Sequence, residues 1–265
     1  FGLGLPGMGV MLFEFEKISL KNPILIEGLP GIGLIGKITV EYLISELKTK
    51  KFADLYSPYF PHQAIIEKDS SLRLVRDEFY HCKGEKDLII LTGDTQVHPT
   101  DSYGHYEVVQ KILDFSEKHG VKEIYTLGGY SSGGKEVKEP RVLASGTDQE
   151  IIKRVSNIDP KLIFREDIGA AIVGASGLLL AIGRLRDFKG LCLLGESSGF
   201  VIDPKAAKSV LRCLNKILGI DISLEGLEKK IKENEELIKK LQKFQEKTIK
   251  EEMLEEKSRG MEYIR

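Results

Sequence analysis

Tryptophan is missing from all 265 residues, and cysteine is scarce, with only three. Cys82, Cys192 and Cys213 lie far apart and form no C-x-x-C pair. That spacing argues against a zinc module, a thioredoxin-type redox motif and a disulfide framework, and fits a reducing cytoplasm. Cys192 falls in an apolar run and Cys213 in a helical pattern, where free thiols are commonly buried rather than reactive.

Net charge is lacking too: 39 Lys and Arg stand against 40 Asp and Glu. Such balance gives no overall pull toward nucleic acid or an anionic membrane, so neither is an expected partner. The longest apolar stretch, 168–182, is interrupted by glycines and a serine. It falls short of the roughly 20 apolar residues that span a bilayer. No basic-then-apolar leader with a cleavage site is read near the start. The many Lys, Glu and Ile residues suit a heat-adapted protein.

What remains is 42% hydrophobic, enough for a substantial core in a chain of this length. Ile24-Leu-Ile26, Leu88–Leu91, Glu123–Leu127 and Leu191–Leu194 read as buried strands. Ala170–Val173 reads as another, and Leu72–Cys82 as short strands around a turn. Helical spacing covers Leu34–Leu47, Asp101–Lys118, Asp148–Val155 and Leu178–Leu185. Asp203-Pro204 opens a further helix, which ends at Gly219. Strands alternating with helices predict an α/β fold, a mostly parallel sheet with helices on both faces. Residues 11–222 are expected to form this single domain. Residues 1–10 read as a loose extension or a foreign remnant, since Met11 resembles a natural start.

The motif most suggestive of chemistry is the turn Gly31-Ile-Gly33-Leu-Ile-Gly36-Lys37. It matches G-x-G-x-x-G between a strand and a helix, the context of a dinucleotide fingerprint. It also approaches a phosphate-binding P-loop, but Ile38 stands where the magnesium-binding Ser or Thr belongs. Asp54 is a candidate ribose acid, but its segment Phe52-Ala-Asp-Leu55 makes a poor second strand. Two readings stay open for Gly31, Gly33, Gly36 and Lys37: a ligand turn, or glycines that let strand and helix approach closely.

Other clusters are weaker. His98 and His105, with Asp94 and Asp101, lack metal-ligand spacing, though a polar loop after a strand can be catalytic. His62, His81 and His119 are isolated. Gly129-Tyr-Ser131-Ser-Gly133 spells G-x-S-x-G, yet no histidine follows it in the chain, which disfavours a serine hydrolase. No metal and no cofactor are expected.

After Ile222 the chain changes character. Residues 223–258 read as a long helix rich in Glu and Lys, a candidate coiled coil. Leu227, Ile231, Ile238 and Leu241 form a heptad-like stripe, and Asn234 interrupts it as a register-setting residue can. Pairs such as Glu225/Lys229 and Glu235/Lys239 each add roughly 0.2–0.5 kcal/mol to a helix. Self-association through this stripe is the expectation. Residues 259–265 read as a flexible tail.

The ordered set Ile26–Lys37, Leu91-Thr-Gly-Asp-Thr-Gln96, Thr126–Tyr130, Gly174–Leu178 and Gly195–Ala207 resembles the proteasome-assembly-chaperone family, in particular its archaeal members. The resemblance spans about Ile18 to Leu227. It implies a purine-nucleoside-phosphorylase-like α/β fold without catalysis and a homo-oligomer. It also implies partners: the 20S proteasome core particle or its α-subunits, and a related family member. Members can dock a C-terminal hydrophobic-Tyr-any tail between α-subunits, where the terminal carboxylate can pair with a lysine. Here the corresponding residues are Tyr263, Ile264 and Arg265, with Tyr one position earlier than that motif places it. In an extended tail this shifts ring against carboxylate by about 3.3 Å.

Overall fold

The computed structural model describes residues 9–134, 137–164, 171–199, 202–227 and 229. The chain divides into two units, Phe1–Ile222 and Ser223–Arg265. In the second, residues 225–227 and 229 are helical and 223–224 are not; residue 228, the remainder of the expected helix from 230 and the whole tail lie outside the described residues.

The first unit is built on a nine-stranded sheet. Its strands are β1 (Met11–Glu14), β2 (Ile24–Glu27), β3 (Lys50–Tyr56), β6 (Asp77–Cys82), β7 (Leu88–Gly93), β8 (Glu123–Ser131), β9 (Val142–Gly146), β10 (Ile163–Phe164) and β11 (Lys189–Ser197). A separate hairpin pairs β4 (Ala64–Ile66) with β5 (Leu72–Leu74). The helices are α1 (Ile35–Glu46), α2 (Ser102–Lys118), α3 (Gln149–Ile158), α4 (Ala175–Leu185) and α5 (Pro204–Leu218). The large sheet runs β1-β3-β6-β7-β2-β8-β11-β9-β10.

The centre of this sheet, β7-β2-β8-β11, is parallel. Helices α1 and α5 pack together over one face, and α2 and α4 pack together over the other. Central strands covered on both sides need apolar residues at every position, not at alternate ones. Accordingly Leu25, Ile26, Ile89, Ile90, Leu91, Ile124, Leu191, Cys192 and Leu193 are all buried. These are the continuous apolar runs from which the strands are read in sequence.

The flanks differ from expectation. Ladders β1–β3, β3–β6, β6–β7 and β9–β11 are antiparallel, so the sheet is mixed rather than mostly parallel. Phe52–Leu55, expected to make a poor strand, is the middle of β3. Phe52, Ala53 and Leu55 are fully buried, and Asp54, which breaks the apolar pattern, is held by Lys51 at 2.8 Å. Residues 171–173, expected to be strand, have no regular structure. Strands β1 and β9 were not expected; both are short, and β9 contains Ser145 and Gly146.

The helices follow their caps. Asp101 Oδ1 accepts from Gly104 N at 2.8 Å, Asp148 Oδ1 from Ile151 N at 2.9 Å, and Asp203 Oδ1 from Ala206 N at 2.9 Å. Gly219 closes α5 at φ 68°.

Candidate functional site

Strand β2 feeds the glycine turn and α1 on one face, and β7 feeds residues 94–101 and α2 on the other. Connections that part in this way leave a crevice beyond the strand ends, where open α/β sheets bind ligands. The groups of most chemical interest converge there.

The glycine turn first. Gly31 is extended, Gly33 adopts φ 63°, and Leu34 is left-handed at φ 51° before α1 begins. A Cβ on Gly36 would overlap the Leu127 carbonyl oxygen, and one on Gly28 would overlap the Gly36 carbonyl oxygen. Gly36 therefore seats α1 against β8 backbone to backbone, the packing role of the third glycine in a dinucleotide fingerprint. Gly33, at the position that approaches a pyrophosphate, is half-buried. Its carbonyl accepts from Asp203 N at 3.0 Å, and Ser197 Oγ lies beside it.

Lys37 does not reach over the turn. It is 8% exposed, and its Nζ donates to the Gly93 carbonyl at 2.6 Å and pairs with Glu41 at 2.8 Å. The lysine of a P-loop points at phosphate; this one ties α1 to the end of β7.

Two side chains join the glycine turn to the start of α4. Glu27, fully buried, accepts from Leu29 N at 2.9 Å and from Ser176 Oγ at 2.9 Å. Above it, Gln96 donates to the Pro30 carbonyl at 2.5 Å and accepts from Ala175 N at 3.0 Å. Burial pushes the Glu27 carboxyl up to about 7, and its two hydrogen bonds offset only part of that rise. Asp77, also fully buried, is held well above the usual carboxylate range by burial first, then by Asp94 and Glu27; Lys37 opposes. Leu29, Phe60, Val97, Val108 and Ala175 fill the space beneath Gln96, leaving a cavity of about 10 Å³. The crevice is thus occupied largely by the protein's own side chains.

The remaining candidates are structural in place. Asp94 receives Arg73 at 3.0 Å and Arg76 N at 3.0 Å, and Asp101 caps α2, so the polar loop with His98 and His105 is bound up in local architecture. Among the described residues, no group of three His, Cys, Asp or Glu could hold a metal ion. Ser131 ends β8 and accepts from Gly133 N at 3.1 Å, with no strand-to-helix elbow around it. All three thiols are buried, and burial pushes Cys192 and Cys213 up to about 12, leaving little thiolate to react. Among the described residues, no helix is long and apolar enough to cross a membrane.

Of the partner-binding and self-association residues, Leu227 alone is described, and it is 1% exposed within a single chain. Ile231, Ile238, Leu241, Tyr263, Ile264 and Arg265 lie outside the described residues. Sequence reasoning gave no role to Glu27, Asp77, Gln96 or Ser176. One signal was available: Glu27 continues an apolar strand directly into the turn, and a carboxylate at such a place needs partners.

Comparison with known proteins accords with this architecture. Residues 25–242 match the PAC2 family. The uncharacterized protein MJ1210 of Methanocaldococcus jannaschii is 38% identical over 231 residues, covering 87% of each chain. Pyrococcus furiosus PbaB, described as an archaeal proteasome activator, superposes with a TM-score of 0.82 at 50% identity, covering 88% of this chain and 99% of its own. Pyrococcus furiosus PbaA, described as an archaeal homolog of proteasome-assembly chaperone, gives 0.74 at 28% identity, covering 92% and 99%. The chain belongs to the PAC2 family.

Proposed function

We propose that this protein is a proteasome-binding assembly chaperone or activator that works by protein–protein contact, without turnover. The observation that carries the reading is the 50% identity with PbaB, described as an archaeal proteasome activator, over 88% of the chain. The partner is the 20S core particle or its α-subunits. The protein acts as a homo-oligomer in the cytoplasm, alone or with a related family member. Tyr263, Ile264 and Arg265 dock on the core particle. The contact between copies rests on the stripe Leu227, Ile231, Ile238 and Leu241.

The filled crevice supports a binding role over a catalytic one. The rival reading, a nucleotide- or phosphate-binding enzyme using the turn Gly31–Lys37, needs a free lysine and an open approach to Gly33. Lys37 instead holds Gly93 and Glu41, and Gly33 holds Asp203.

The test is to mix the full chain with archaeal 20S core particle and with free α-subunits. Complex mass is read by light scattering after size exclusion, with Tyr263→Ala alongside. The expected result is a heavier complex that the variant loses. No complex with either form overturns direct binding. A rise in melting temperature with millimolar phosphate or dinucleotide, lost in Lys37→Ala, favours the rival.

A further inference from the structure

Two histidines flank one phenylalanine at the β1 edge of the sheet. Phe52, fully buried in β3, meets the His81 ring at 5.4 Å and 88° and the His119 ring at 5.5 Å and 86°. Phe115 packs on His119 at 4.6 Å. This aromatic company offers the imidazoles no hydrogen bonds. Both ring nitrogens of His81 and Nε2 of His119 are buried without a hydrogen-bond partner among the described residues. Buried polar atoms in native proteins are, in the large majority, bonded, so orphaned ring nitrogens gathered at one edge need a reason.

Strand β1 closes this edge. Just past its ladder, Phe15 N donates to the Phe52 carbonyl at 2.8 Å. Before Phe15, Glu14 lies 3.2 Å from His119 Nε2, out of line for a hydrogen bond, and pairs with Lys118. After Phe15, Glu16 holds Lys50 at 2.7 Å, and Lys50 stands opposite His81 in the β3–β6 ladder. The strand itself is short and half-buried, and β3 is its one neighbour in the sheet.

The charged groups facing the two rings are Glu14 and Glu16 from the β1 segment, Lys50 from β3, Lys83 and Asp87 from the turn after β6, and Lys118 from α2. With neutral imidazoles, acids and lysines balance. A proton on each ring adds two cations where every carboxylate is already engaged, Asp87 by the backbone of Lys21 and Gly84. Burial opposes those protons and outweighs the nearby carboxylates, so both rings bind them less tightly than a free histidine does.

We propose that β1 is an acid-released latch: protonation of His81 and His119 frees residues 10–16 from β3 while the parallel centre of the sheet stays folded. In the open state both rings are hydrated and titrate near 6.5. The closed state binds fewer protons, so closure is fully supported above about pH 6.5 and is lost as pH falls below it. Glu27 and Asp77, at the centre, are shifted upward and act in the opposite sense, so acid favours the centre as it opens the edge. Release leaves the backbone groups of β3 unpaired, the feature through which a sheet edge takes on another strand.

Hydrogen exchange of the full chain, followed by NMR from about pH 7.5 to 5 and corrected for intrinsic rates, tests this. The Phe15 amide reports the latch, and the Gly28 amide, bonded to the Leu91 carbonyl at 2.9 Å, reports the centre. Phe15 protection is expected to fall about tenfold per pH unit for each imidazole below about 6.5, while Gly28 protection holds. In the double variant His81→Phe with His119→Phe, Phe15 protection is expected to lose this dependence. Constant Phe15 protection in the wild type, simultaneous loss at Gly28, or an unaltered profile in the variant overturns the proposal. Where the variant fails to fold, titration of the wild-type imidazole protons decides: midpoints below 6.5 are expected for His81 and His119, and midpoints at or above it overturn the latch.

Discussion

The side-chain amide of Gln96 bonds the carbonyl of Pro30, 66 residues earlier in the chain, at 2.5 Å. With its bond to Ala175 N, one side chain closes the glycine turn onto the start of α4. Gln96→Ala removes both bonds and leaves two backbone groups to find other partners. The expected loss is about 1–3 kcal/mol. Urea denaturation measures it, and a loss under a few tenths would show that the clasp contributes nothing.

Glu27 makes stability depend on pH. Its folded value, about 7, exceeds its ordinary 4.5, so the folded state holds the proton more tightly. Its contribution is fully present below pH 4.5 and is lost as pH rises through about 7. Glu27→Gln is expected to be less pH-sensitive than wild type over that interval. Asp77 is shifted in the same direction, so the double variant with Asp77→Asn flattens the profile further. Denaturant midpoints from pH 4.5 to 8 check this, and parallel profiles for wild type and Glu27→Gln would sink it.

Two glycines separate close packing from backbone freedom. Gly36→Ala drives a methyl into the Leu127 carbonyl, where neither backbone can yield cheaply. The expected cost is about 3 kcal/mol or failure to fold. Gly120 has φ 78° and nothing within 4 Å of an added Cβ. Gly120→Ala meets only the left-handed backbone cost, about 1 kcal/mol. Thermal unfolding of the pair should rank them in that order.

Removal of residues 223–265 is expected to leave the α/β domain folded and to abolish binding to the core particle. Circular dichroism and the light-scattering assay read the two effects separately. Undiminished binding by the truncated chain would move the docking surface onto the domain.

Thiol reactivity offers a further check. Cys82, Cys192 and Cys213 are buried, so a thiol reagent at neutral pH is expected to modify them only on unfolding. Rapid labelling of the native protein would show that one of them is accessible.

The sequence by itself determined the parallel centre and the helices. The strands β2, β7, β8 and β11 are buried on both faces, which leaves an unbroken apolar run, and Asp101, Asp203 and Gly219 mark helix ends through bonds made within a few residues. It also carried the family resemblance. Only tertiary structure decided the rest. Asp54 breaks the pattern of β3 because Lys51 neutralises it, and β9 is too short and small to announce itself until β11 pairs with it. The site was legible as a glycine turn but not in meaning. Glu27 gains Ser176 and Gln96 gains Pro30 and Ala175 across 149, 66 and 79 residues, and Lys37 is turned away by Gly93. Such bonds depend on which strand ends lie side by side, a property of the folded sheet and not of any local spacing.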